Sequence, residues 1–246
     1  MLSYVWFSMS YYQFLIVGTF SAVVERLCIE NKSFFSVSPL PFPTCRADNI
    51  DCLRRSLRTF LFLMDGGYFG MQPIDPAIIN SVALSLPEQQ TSFLLRRVNV
   101  TGARWTKLTL MVFFYAKEIC GLISDLCLRG LISVGRVKYP ILFDVAEGAE
   151  SNITYAGMIH RGIDNEDYIV IGPERIAVRN MRIPSYFLQP NSEDSYIIDE
   201  ALQMRPSILD HFSNEITAAL MHSVVDNFRL FSAKVPIKHY YKYYNK

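Results

Sequence analysis

The stretch Pro206–Phe231, PSILDHFSNEITAALMHSVVDNFRLF, decides the fold. Its apolar residues fall at Ile208, Leu209, Phe212, Ile216, Ala219, Leu220, Val224, Phe228 and Phe231. Steps of three and four match the helical repeat, so these side chains share one face. Pro206 suits a first turn, where a missing N–H has no partner to lose. Neither Gly nor Pro interrupts the run before Pro236. At 1.5 Å per residue the helix would be about 39 Å long. Met221 and Val225 widen the apolar arc, which marks a helix that other structure wraps rather than one lying on a surface.

Upstream, Leu53, Leu57, Phe60, Leu61 and Met64 repeat the helical period on a shorter segment. Asp48 is its expected N-cap, Asp51 an acidic residue for the positive helix end, and Gly66-Gly67 the stop. Cys45 and Cys52 lie seven apart around that start, and a disulfide between them would pin the incoming chain to the helix. Cys120 and Cys127 are read as buried thiols acting as small apolar residues. The segment Gln72–Pro76 is rigid and extended because of its two prolines. From Ala77 to Gln189 the chain reads as strands. They are expected at 80–86, 98–101, 107–115, 141–145, 153–159, 168–171 and 176–183. Turns are expected at Gly102, Gly135, Glu147-Gly148, Gly162 to Asn165 and Gly172-Pro173. Strands at this spacing without helical pattern between them imply an antiparallel sheet. The order is a short helix, many strands, then one long helix.

The chain has 246 residues, half of them apolar, with 19% charged residues and a formal net charge of +1. Such a charge cannot hold nucleic acid by its field alone. Phenylalanine (17) and tyrosine (14) are abundant, which suits an apolar interior. Residues 1–24 are read as a signal peptide, since Phe14–Val24 has the length of an apolar signal core with Thr19, Ser21 and Ala22 near its end. No Lys or Arg precedes Arg26, and Leu2 begins the apolar run, so an uncleaved membrane anchor is the alternative. Residues 25–44 are read as a linker and 45–246 as one domain. Asn31, Asn99 and Asn152 open glycosylation sequons, which carry weight in a secreted chain.

Catalytic patterns are weak. Gly130-Leu-Ile-Ser133-Val-Gly135 has one residue too many for a nucleophile elbow. His160, His211, His222 and His239 are scattered, and His211 and His222 stand three helical turns apart, too far to share a metal. Asp164, Glu166 and Asp167 sit in a turn composition rather than a carboxylate pair. Neither a phosphate-binding loop nor a dinucleotide fingerprint is present. No enzyme activity, metal or cofactor is therefore expected. The closing residues 237–246 interleave Lys and Tyr and read as a frayed, solvated end.

Several motifs together resemble the takeout and juvenile-hormone-binding proteins of insects. They are Cys45…Asp48…Cys52-Leu53 before a helix, Pro73-Ile74-Asp75-Pro76, Asn99-Val-Thr-Gly102, Asn152-Ile-Thr154-Tyr155 and the closing Phe231-Ser-Ala-Lys-Val-Pro236. The resemblance spans Cys45 to Pro236. It implies an α+β fold with a long C-terminal helix wrapped by a strongly curved antiparallel β-sheet, and a first disulfide at Cys45 and Cys52. It also implies a secreted, monomeric carrier of a small hydrophobic ligand (juvenile hormone, another terpenoid or a fatty-acid-like lipid) in an internal tunnel. The candidate lining residues, by position, are Leu57, Phe60, Leu61, Met64, Phe69, Met71, Phe212 and Ile216. The alternative is a membrane-tethered interaction or lipid-exchange protein built on the same fold.

Overall fold

A computed structural model of the chain describes residues 42–86, 91–114, 117–134, 136–188 and 193–242. Residues 1–41, which hold the expected signal peptide, most of the linker and Asn31, lie outside the described residues. From Phe42 onward the chain is one unit. Helix α1 (Ile50–Asp65) is followed by strands β1 (Ala77–Leu86), β2 (Thr91–Thr101), β3 (Lys107–Phe114), β4 (Lys117–Val134), β5 (Val137–Arg161), β6 (Asp167–Asn180) and β7 (Ser185–Leu188). Two helices close the fold, α2 (Glu193–Met204) and α3 (Ser207–Ser232). All strand pairings are antiparallel, in the order β1-β2-β4-β5-β6, with β3 added to β4 and β7 to β5.

The sheet curls because its two longest strands each change partners midway. Residues 107–114 of β3 pair with 117–123 of β4, whereas β2 pairs with 127–134. The β4–β5 register slips between Ser124 and Leu126, and Gly148 of β5 sits there with φ +96°. A Cβ at Gly148 would come within 2.7 Å of the Ile123 side chain, so only glycine fits the bulge. A second slip, between Tyr155 and Gly157, sets Gly172 and Pro173 of β6 opposite a single β5 residue. Both places read as turns in the sequence. They are bulges inside continuous strands, and each bends the sheet without ending it. The stretch 112–135, for which no strand was expected beyond Tyr115, contains the whole of β4.

Helix α3 fills the concave side. Ile208, Leu209, Phe212, Ile216, Leu220, Met221, Val224, Val225 and Phe231 are buried, a wide arc packed against β6, β1 and β5. Pro206 stands just before the helix rather than in its first turn. Beyond the last turn the N–H groups of Lys234 and Val235 donate to the Phe231 carbonyl at 3.0 and 2.9 Å. Polar pins fix the register of helix on sheet. The Ser213 hydroxyl donates to Asn180 Oδ1 at 2.9 Å, and Asn180 Nδ2 donates to Asp210 Oδ1 at 2.7 Å. Asn227, 2% exposed, accepts from the Gln72 N–H at 2.7 Å and donates to the Gln72 carbonyl at 2.8 Å. That amide replaces a strand partner for the extended segment after α1.

Four local expectations are corrected. The N-cap of α1 is Asn49, whose Oδ1 accepts from the Cys52 N–H at 3.0 Å, while Asp48 is exposed and pairs with Arg46. Helix α2 had no sequence signal, because only Ser195, Ile198 and Leu202 of its residues are buried. The closing residues are not frayed as far as Lys242. Ile237 and Tyr240 are buried, and Tyr241 forms a backbone bridge with Cys45. The fold also begins slightly before Cys45, since Phe42 is buried against Phe231.

Replacing Asn227 with Leu strands a donor and an acceptor of Gln72 and should cost about 2 kcal/mol, read as a lowered urea midpoint at unchanged m-value. Glu174, on β6, gives a pH signature. Burial pushes its carboxyl up, but hydrogen bonds from Arg229 and His222 outweigh burial and hold it below the usual carboxylate range. A depressed folded value gives stability that is present above the unfolded value of about 4.3 and is lost as pH falls through the folded one. Glu174→Gln should therefore lower Tm at pH 7 and converge on the parent protein as pH falls below about 4. An equal Tm deficit at all pH values would contradict this assignment.

Candidate functional site

Where the concave face of the sheet leaves the second half of α3, the protein forms a partly open cavity of about 150 Å³. Its walls come from every layer. Leu53, Ser56, Leu57 and Phe60 arrive from α1, and Leu108 and Met111 from β3. Cys120 and Leu122 belong to β4, Ile153 and Tyr155 to β5, and Ile169 to β6. Helix α3 adds Val224, Val225, Phe228 and Phe231. Phe42, Tyr240 and Tyr241 close it from the two terminal segments. Strand alternation explains the selection. Leu122, Ile153, Tyr155 and Ile169 are buried inward-facing residues, whereas their neighbours Asn152 and Val170 are exposed on the convex side.

Aromatic rings pack round the cavity. The Phe231 ring lies 5.0 Å from Phe42, 5.6 Å from Phe60, 5.6 Å from Phe69 and 5.2 Å from Tyr240, centroid to centroid. Phe228 meets Phe60 edge-on at 5.7 Å and Tyr155 at 6.1 Å. Tilted and edge-on pairs of this kind contribute about 0.5–1.5 kcal/mol each beyond their area.

The terminal wall is tied at several points. Cys45 and Cys52 form a disulfide with an S–S distance of 2.09 Å. The Cys45 N–H donates to the Tyr240 carbonyl at 3.2 Å, and the Lys242 N–H donates to the Cys45 carbonyl at 2.7 Å. Lys238 bonds Glu166 in the β5–β6 hairpin. Within that hairpin the Tyr168 hydroxyl donates to Asp164 at 2.6 Å, a bond that pushes Tyr168 up to about 12 and holds Asp164 low. The disulfide thus holds α1 to the strand segment that carries Phe42, and this segment holds Tyr240 and Tyr241.

Of the residues expected to line a ligand site, Leu57 and Phe60 face this cavity. Leu61, Met64, Met71, Phe212 and Ile216 are buried in the surrounding core, none more than 2% exposed. Phe69 packs on the back of Phe231. Sequence reasoning missed the strand-borne wall, which depends on register, and missed Phe42, Tyr240 and Tyr241 because they were assigned to linker and tail. Cys120 is half-buried in the cavity wall and Cys127 is exposed, so neither is the fully buried thiol expected. The sequon residues Asn99 and Asn152 are exposed on their strands.

Among the described residues no constellation for chemistry gathers at the cavity. Ser133 lies within β4 rather than on a strand-to-helix turn, so the elbow geometry is absent there. His222 instead bonds Glu174, which also takes Arg229. Asp164, Glu166 and Asp167 belong to the β5–β6 hairpin turn and the start of β6, as their composition suggested. No group of three or more His, Cys, Asp or Glu among the described residues is arranged to hold a metal ion. No described helix is long and apolar enough to cross a membrane.

No protein-family model matches this chain, and no curated protein matches it in sequence. The fold, however, is similar to the crystal structure of Takeout 1 from Epiphyas postvittana, with a TM-score of 0.69 at 13% identity. The superposition covers 81% of this chain and 99% of that chain. The chain therefore has the takeout fold: a curled antiparallel sheet around a long C-terminal helix, with a short disulfide-pinned helix beside its cavity.

Proposed function

We propose that the protein is a carrier that holds a small hydrophobic ligand, a terpenoid or other lipid such as juvenile hormone, between α3 and the curled sheet without altering it. The observation that carries this reading is the partly open apolar cavity of about 150 Å³, walled by aliphatic and aromatic side chains from six elements and both terminal segments. A cavity of similar volume lined by such residues stays dry and takes up benzene. Empty apolar space of that size costs packing energy that a ligand restores.

Size sets how such a ligand would sit. A benzene-sized group burying roughly 200 Å² of apolar surface gains on the order of 5 kcal/mol before ordering costs, which leaves only weak binding. A terpenoid or acyl chain burying about 350 Å² gains on the order of 9 kcal/mol, enough for micromolar affinity. The ligand therefore fills the cavity with one end and extends along the aromatic wall, displacing half-buried side chains such as Phe228. Secretion fits the reading, since a disulfide at Cys45 and Cys52 persists only in an oxidising compartment. Glycans at the exposed Asn99 and Asn152 would stand clear of the concave face. The protein would work as a monomer, with residues 1–24 removed as a signal peptide, a linker after it and the ligand-binding domain beginning at Phe42 rather than Cys45.

Cys120 reports on the site directly, because it is in the wall while Cys127 is outside. An apolar isoprenoid should slow alkylation of Cys120 by a maleimide at least tenfold and leave Cys127 unaffected, read by peptide mass spectrometry. Leu122→Trp fills the cavity from β4 and should abolish that protection at a stability cost of about 1–3 kcal/mol. Equal protection in the filled variant, or none in the parent across a panel of isoprenoids and acyl lipids, would refute the site. Replacing both Cys45 and Cys52 with Ser should lower stability by about 2.5 kcal/mol and speed alkylation of Cys120 in the folded protein, since the terminal wall loses its tie to α1.

A further inference from the structure

We infer that the face carrying the cavity mouth docks on an anionic lipid bilayer, so that the cavity opens onto the membrane rather than onto water. This rests on the carrier reading above and adds where the ligand is collected. The wall residues that keep partial exposure are Ser56 and Leu57 of α1, Met111 of β3, Cys120 of β4, Phe228 of α3 and Tyr241. Cations bracket this wall at two places in the chain. Arg55 and Arg58 flank Ser56 and Leu57, and His239 and Lys242 flank Tyr240 and Tyr241. The Lys242 N–H donates to the Cys45 carbonyl at 2.7 Å, which holds the tail beside the entry to α1. The mouth therefore has a basic rim on its α1 side and another on its tail side.

The acids near these rims are already matched. Asp48 pairs with Arg46, Asp51 with Arg54, Glu166 with Lys238 and Asp226 with Arg229. Arg55, Arg58, His239 and Lys242 have no ion pair or side-chain hydrogen bond among the described residues. The exposed residues of α1 are Asp51, Arg54, Arg55, Arg58 and Phe62. Steps of three and four put Arg55, Arg58 and Phe62 on one line along the helix. Phe62 is 72% exposed. A helix face of arginines with a protruding aromatic ring suits the headgroup layer, where the ring reaches the acyl boundary and the cations meet phosphates. An acidic protein would match the charge but gives Phe62 no apolar surroundings. A hydrophobic ligand also passes from a bilayer into a docked mouth without exposing its surface to water. Arg96, Arg129 and Lys138 are exposed cations too, on β2, β4 and β5, but no residue next to them in the chain lines the cavity.

The test is flotation of the protein secreted from insect cells with phosphatidylcholine vesicles, plain or carrying about 30 mol % phosphatidylserine. Each basic residue at such a surface strengthens binding about fivefold. Arg55→Gln, Arg58→Gln and Lys242→Gln together should therefore weaken binding to the anionic vesicles about a hundredfold. The same change at Arg96, Arg129 and Lys138 removes equal charge and should cost less than about threefold, because screening confines the attraction to the docked face. Phe62→Ser should weaken binding about tenfold through lost apolar burial. Anionic vesicles should also slow alkylation of Cys120 by a water-soluble maleimide and leave Cys127 unchanged. Equal losses in the two triple variants, or vesicle binding that leaves Cys120 as reactive as before, would overturn the docking face and leave the carrier reading standing. No binding to anionic vesicles would overturn it as well, and retained binding to polyglutamate would then assign the face to an acidic protein. Failure of the carrier reading shows separately, as no protection of Cys120 by isoprenoids or acyl lipids when vesicles are absent.

Discussion

Phe231 is the contact on which the rest of the site depends. Its ring is 1% exposed and touches Phe42 before α1, Phe60 in α1, Phe69 after it and Tyr240 near the chain end. These segments share no strand pairing with the main sheet, so they have no backbone ladder to place them on it. What places them is an aromatic cluster on the last turn of α3, plus a disulfide and a short backbone bridge. The helix delivers that ring only because its apolar arc is seated along the concave sheet for its whole length. Wrapping the helix and building the cavity are one event.

Curvature is the other condition. An open sheet of this many strands would present a shallow face to α3 and leave no pocket beside it. The slips at Ser124–Leu126 and Tyr155–Gly157 bend β4, β5 and β6 where the chain needs to turn around the helix. Gly148 makes the first bend possible, since its φ of +96° and the 2.7 Å approach of Ile123 exclude a side chain. Gly102, with φ +97° and the Asp125 carbonyl 2.3 Å from where a Cβ would be, turns the chain from β2 into β3. Its N–H donates to Asp75, whose carboxylate also takes the backbone and side chain of Arg104. Asp75 thereby fixes the extended proline segment to the start of β3.

The parts legible in the sequence are those set by local period. Helix α3 could be read from steps of three and four, and α1 from a shorter version of the same pattern. Pairing of Cys45 and Cys52 was implied by the family resemblance and fitted their placement at a helix start. The long strands were not legible, because Glu147-Gly148 and Gly172-Pro173 have turn composition and only the partner strands show that they are bulges. Helix α2 was not legible because it buries little. For the site, Leu57 and Phe60 were accessible through the helical face of α1. Leu122, Ile153 and Ile169 were not, since which face of a strand points inward depends on register across several bulges. Phe42, Tyr240 and Tyr241 were hidden by an assumption about termini, corrected by their burial and ring contacts.

The central claim is that this fold holds a ligand rather than merely a hydrophobic core with a void. The most direct measurement is native mass spectrometry of the protein secreted from insect cells, followed by organic extraction of whatever it releases. The expected result is a discrete added mass of one lipid or terpenoid per chain, lost on denaturation and recovered in the extract. An apo mass that takes up nothing from an offered panel of isoprenoids and acyl lipids would contradict the claim, and the takeout fold would here be architecture alone.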